Sequence, residues 1–298
     1  MTAADMWQQM FDFQDYGALL GLVRNSLIVG GALGLVGGLT GVFVVLRDLP
    51  FAVHGISELS FAGASAALLL GMNVVAGSIA GSLIAALVIG VLGARARDRN
   101  SIIGILMPFG LGLGVLFLAL YKGRAANKFG LLTGQIVAVD NPQTGWMLTV
   151  SALVLIALAV IWRPLTFASA DAQVAQARGL PVRGLSVAFM LLLGITIALS
   201  VQVVGALLVL SLVVTPAAAA ARVTASPVLL PLLSVLLAVL AVEGGILLAL
   251  GSSIPISPYV TTISFLVYIV CRLIGTRRAR HGGSRRTSRG TAAAPARV

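Results

Sequence analysis

Residues 50 to 63 read PFAVHGISELSFAG and set an imidazole four residues before a carboxylate. On a helix, side chains four apart point the same way. His54 and Glu58 would then offer a nitrogen and a carboxylate from one face, with Ser57 adjacent and Gly55 leaving open space beside them. Metalloenzymes place two zinc ligands in this manner. Two ligands make a half-site, which suits a protein that must release what it binds. The plainer alternative is a buried hydrogen bond that pins helices together. Neither cysteine nor methionine accompanies the pair, which disfavours Cu(I) and leaves Zn(II), Mn(II) or Fe(II), with zinc favoured by the imidazole.

The elements that must carry this pair lie in lipid. The chain has 298 residues, of which 59% are hydrophobic and 10% charged, with a mean hydropathy of +1.06, far above soluble domains. A spanning helix needs about 20 apolar residues. About nine tracts qualify, near 18–46, 51–71, 73–93, 101–121, 146–163, 184–201, 203–221, 228–250 and 258–275. They are continuous rather than alternating, so helices are the expected form. The predicted fold class is all-α, a polytopic integral membrane bundle of eight or nine transmembrane helices.

Of nine acids, only Glu58, Asp140 and Glu243 lie within or against the apolar tracts. An ionisable group at that depth costs about 2.5 to 3.5 kcal/mol even on insertion scales, so it implies a partner or a use. Asp140 is therefore a pathway candidate. Pro216 is another, because it interrupts GALLVLSLVVTPAAAAAR, residues 205 to 222. A proline there predicts a kink near Leu212, and broken helices often line transport sites.

Outside the spans the chain divides simply. Residues 1–17 hold three acids and no base and are predicted to be a retained interfacial segment rather than a cleaved signal. Eight of the 20 basic residues are arginines between Arg272 and Arg297, so residues 276–298 read as a disordered, basic, cytoplasmic tail. That placement makes the net charge of +11 a topology signal and not a nucleic-acid footprint. The basic loop at 94–100 shares the tail's side, as do the turn at 47–50, the segment 163–184 and Arg222. Lys122, Arg124 and Lys128 fall on the other side, against the positive-inside trend. Cys271 is the single cysteine and has no intramolecular partner.

The segment FASADAQVAQARGLPVRGL, residues 167–185, is charged and amphipathic. Asp171 near its start and Arg178 near its end suit a helix dipole, and Gly179 is a natural terminator. It is predicted to form a short cytoplasmic helix offering a surface to a partner. Glycines at 30, 34, 37, 38 and 41 form overlapping GxxxG pairs that allow close helix contact, and Gly110, Gly112 and Gly114 are assigned to packing as well. No GxxxxGK[ST] occurs, so ATP use requires a partner, and no HExxH occurs to support a membrane metalloprotease.

Three segments together resemble the permease subunits of bacterial ABC transporters that import zinc, manganese or iron ions. They are FASADAQVAQARGLPV, GALLVLSLVVTPAAAAARVT and LTGQIVAVD, in the family's order and spacing, with PISPYVTTISFLVY resembling the start of its last span. The resemblance covers roughly residues 20 to 275. It implies a transport subunit rather than an enzyme, multi-pass in the cell membrane with a cytoplasmic C-terminus, carrying a divalent metal ion and using ATP only through a separate ATPase. It further implies a homodimer, an extracytoplasmic metal-binding protein, and a docking role for Asp171, Gln173, Ala175 and Gly179. Aligned on Leu46 and Arg47, the family's pathway Asp falls on His54 and its His on Glu58, the same ligand types in exchanged order. A proton-coupled secondary metal transporter, with Glu58 or Glu243 as the carrier, is the alternative.

Overall fold

The computed structural model describes residues 20–21, 23–93, 96–123, 130–131, 134, 141–206, 209–250 and 255–287. Within them the chain is helical throughout: α1 (Arg24–Leu46), α2 (Pro50–Leu69), α3 (Val74–Leu92), α4 (Ala96–Leu120), α5 (Asn141–Ala170), α6 (Ala172–Ala177), α7 (Val182–Val204), α8 (Val209–Val213), α9 (Thr215–Val223), α10 (Leu229–Leu250) and α11 (Ile256–Thr287). Among the described residues, eight helices are long and apolar enough to cross a membrane, and α8 with α9 forms a shorter apolar unit. The tract at 203–221 is thus a broken element. The predicted segment 1–17 and Asp140 lie outside the described residues. The helix α11 continues to Thr287, past the expected start of the tail at residue 276.

Neighbouring helices approach through glycine, since lipid supplies no hydrophobic drive between apolar helices and association depends on contact. Along α1, a Cβ at Gly34 would lie 2.9 Å from Val239 Cα and one at Gly38 would lie 2.7 Å from Val235 Cα, so α10 runs antiparallel in backbone contact with α1. On its other side α1 meets the broken unit, where Gly41 abuts the Val213 carbonyl. Helices α2 and α3 close similarly through Gly63 and Gly77, and α4 crosses α2 where Gly110 faces the Glu58–Leu59 backbone and Gly114 faces Phe61. Gly112 has nothing within 4 Å, so two of that glycine trio pack and one does not.

These contacts put two helices at the centre. Along α2, Ala52, Val53, Ile56 and Phe61 are fully buried, and along α7 so are Phe189, Leu193, Ile197 and Val204. Following the chain from helix to helix places the 47–50 turn, the α3–α4 connection, α6, Arg222 and the end of α11 on one face of the bundle. At 30 residues, α5 is about 45 Å long by a rise of 1.5 Å per residue. A hydrocarbon core is about 30 Å thick. Helix α5 is therefore longer than one span needs, and its last turn leads directly into α6.

Replacing Gly38 by Ala should separate α1 from α10 and cost about 1 to 3 kcal/mol, as overpacking does. Gly112→Ala should be neutral or slightly stabilising, since it fills open space in a helix. Thermal melting of the detergent-purified protein distinguishes the two.

Candidate functional site

His54 and Glu58 do share a face of α2. The His54 Nε2 lies 3.6 Å from Glu58 Oε1, too long for a strong hydrogen bond. Glu58 is 3% exposed and His54 29%, and Glu58 Oε2 is buried with no hydrogen-bond partner. Such an oxygen keeps its lone pairs available to a cation, and a buried polar atom left unpaired needs a reason. The open space expected beside Gly55 is absent: a Cβ there would lie 3.2 Å from Ile103 and 3.5 Å from Met107. Apolar side chains from α4 wall that side, so access to the pair comes from elsewhere.

One residue before Glu58, Ser57 is 1% exposed and donates its hydroxyl to the Ala206 carbonyl at 2.6 Å. Ala206 belongs to the break between α7 and α8. Gly205 makes that break possible, with a φ of +89° that other residues rarely adopt. A second hydroxyl, on Ser257 of α11, donates to the Val204 carbonyl at 2.7 Å. Ser57, which lies between His54 and Glu58 in sequence, thus ties α2 to a discontinuous helix inside the bundle, a feature that recurs in transporters.

The sequence reading placed the interruption at Pro216. The structure has two. The larger, at Gly205, had a weak signal, a lone glycine between Val204 and Ala206 in an apolar tract. The smaller falls at Val214, where Pro216 is in the first turn of α9. Pro216, Ala217, Ala219 and Ala220 are buried, so the alanine run serves packing. Glu243 lies on the α1–α10 seam beside Gly30 and Gly31. Among the described residues no three of His, Cys, Asp and Glu converge as a metal site, so Glu243 does not complete the pair.

At the end of α5, Asp171 caps α6 by accepting from Gln173 N at 2.9 Å and Val174 N at 3.0 Å. Leu180 N donates to Ala175 O, and Gly179 N to Gln176 O. Those two bonds form a Schellman closure, for which Gly179 supplies a φ of +81°. Ala175 is fully buried with Ala168 and Leu185, whereas Asp171, Gln173 and Gly179 are exposed. Ala175 thus anchors α6 to α5 and α7, and the outward surface belongs to Gln173 and to Val174, 43% exposed. Arg178 turns back over the Phe167 ring at 5.7 Å.

A bundle of apolar helices, one of them broken at Gly205, with a capped helix on one face has the form of a membrane transport subunit. The chain belongs to the ABC 3 transport family, whose model matches residues 20–275. It is 27% identical over 260 residues to the manganese import system permease protein ScaB of Streptococcus parasanguinis, covering 87% of this chain and 92% of that one. It is 25% identical over 246 residues to the high-affinity zinc uptake system membrane protein ZnuB of Haemophilus influenzae, covering 82% and 94%. Among solved structures, PsaBC from Streptococcus pneumoniae in complex with Fab superposes with a TM-score of 0.77 at 24% identity, over 87% of this chain and 95% of that one. That likeness carries the fold.

Ser57→Ala should leave the Ala206 carbonyl unpaired and destabilise the protein by about 0.6 to 2 kcal/mol, the range for interhelical hydrogen bonds in membranes. Ser57→Thr, which keeps the hydroxyl, should lose less. Melting of both variants against the parent in one detergent checks the pairing.

Proposed function

We propose that this permease carries a divalent transition-metal ion into the cell, with His54 and Glu58 as ligands along its path and a separate ATPase supplying the energy. The observation that supports it most is the buried, unpartnered Glu58 oxygen with His54 on the same face of α2. A site with two ligands holds an ion incompletely, and a homodimer would bring a second pair from the other copy. The nitrogen and oxygen donors suit zinc and manganese alike. Zinc was the expected ion, yet among relatives whose names carry a metal, manganese outnumbers zinc. An extracytoplasmic binding protein would deliver the ion, and the resident chain needs no permanent cofactor.

The face carrying α6 is read as cytoplasmic. Arg47, Arg99, Arg178, Arg183, Arg222, Arg272 and Arg277 all lie on it, which agrees with the positive-inside rule and supports a C-terminus inside the cell. There α6 would dock into the ATPase through Gln173 and Val174, with Asp171 and Gly179 fixing its ends and Ala175 holding it to the bundle. Alternating access would follow from movement of α6 passed to α7.

The first test is retention of the ATPase by the tagged permease. Wild type should retain it, and charge reversal at Asp171 and Arg178 should reduce it strongly. No ATPase with wild type would sink the reading.

Transport itself tests the pair. With its partners present, His54→Ala/Glu58→Ala should lower metal uptake at least about tenfold, as loss of metal-site residues does. Ligands bind deprotonated, so wild-type uptake should fall as the pH drops from 7 to 5. A flat profile, or normal uptake by the double variant, would make the pair structural. Competition between zinc and manganese in the same assay ranks the ions.

A further inference from the structure

We propose that the cavity between the α1–α2 turn, the end of α3, the first turn of α4 and the start of α7 binds the phosphodiester headgroup of an anionic phospholipid. Its volume is about 310 Å³, and Arg47, Arg99, Arg183 and Ser186 line it with no carboxylate among the described lining residues. Three arginines that crowd one cavity offer a planar, multidentate set of donors to an anion. The Arg47 Nη2 reaches only a neutral partner, the Ser186 hydroxyl, at 2.7 Å, and its guanidinium lies 5.9 Å from the Phe189 ring centroid. Arg99 Nε is buried without any hydrogen-bond partner. The first turn of α7 adds to the positive field, because its cap, Pro181, supplies no side-chain acceptor and a helix N-terminus favours anions.

The crowding has a measurable sign. The Arg47 pKa is lowered from its usual value, first by burial and then by the charge of Arg99. An anion between the two would relieve the second cause.

The surroundings select a lipid rather than a free ion or an acidic protein segment. Val91 lines the cavity and also ends an exposed apolar row on α3 with Ile84 and Leu87, at 55%, 59% and 49% exposure. Residues three and four apart form one strip along a helix. The strip leads from the cavity down the lipid-facing side of α3, where an acyl chain would lie while the phosphate meets the arginines. The inference needs only that this face lies at a membrane surface, so it stands or falls apart from the metal reading.

The test uses the full chain purified in detergent and stripped of lipid. Phosphatidylglycerol, phosphatidylcholine and inorganic phosphate are titrated separately, with bound lipid read by native mass spectrometry and stability by melting. Wild type should retain phosphatidylglycerol and gain several degrees from it, with little effect of the other two. Arg99→Gln/Arg183→Gln should weaken that binding about tenfold, given the attraction each basic residue adds near a membrane surface. Arg99→Lys/Arg183→Lys should recover part of it. Arg47 is left intact because it also packs on Phe189.

Equal retention of the two lipids overturns the proposal, as does stabilisation by inorganic phosphate alone. A glutamine variant that binds phosphatidylglycerol normally but loses its ATPase would assign the arginines to a protein partner instead. If the glutamine variant fails to fold, the wild-type comparison of the three probes still decides.

Discussion

Hydrocarbon leaves a backbone carbonyl no water to turn to, so a helix can stop inside a bilayer only where a neighbour takes over its hydrogen bonds. Ser57 and Ser257 do this for Ala206 and Val204, from α2 and α11. The rest of the bundle is arranged to bring those hydroxyls within reach. Close α1–α10 and α2–α4 contacts at Gly38 and Gly110 draw the outer helices inward, and the pairing in turn fixes α2 against the broken element.

Much of this was legible in the sequence because lipid simplifies the code. Long apolar tracts mark helices, an intramembrane acid marks a place of interest, and the Asp171 and Gly179 signals at the two ends of α6 both have the geometry their residue types prefer. The GxxxG pairs were equally direct. What failed to show were properties of contact. Gly55 suggested space, but Ile103 and Met107 fill it, and no local pattern reveals what a neighbouring helix inserts. Pro216 marked the break at Val214 while the one at Gly205 went unmarked, since proline is a loud signal and a lone glycine in a glycine-rich membrane protein is a quiet one. Ala175 was legible as part of α6 but not as its inward anchor, because one turn of a short helix has too few residues to define a face.

The same packing links the two ends of the molecule. Ala175 holds α6 against Leu185 near the start of α7, α7 runs buried to Gly205, and Ala206 meets Ser57 one residue from Glu58. Packing at Ala175 and the Ser57–Ala206 hydrogen bond thus join α6, α7 and α2 in one continuous set of contacts. The arginines of the proposed lipid cavity flank the start of α7.

The Ser57 bond has a further property. Serines elsewhere in this chain, such as Ser169, Ser186 and Ser200, turn back to the carbonyl one turn earlier in their own helices, a habit common to hydroxyls in helices. Ser57 instead reaches across to α8's side of the break, and the carbonyl of Val53 stands one turn behind it as a second acceptor. The donor can therefore let go without being stranded. The joint behaves as a latch with a resting place for its bolt, and the Ala206 carbonyl left behind sets the cost of each release.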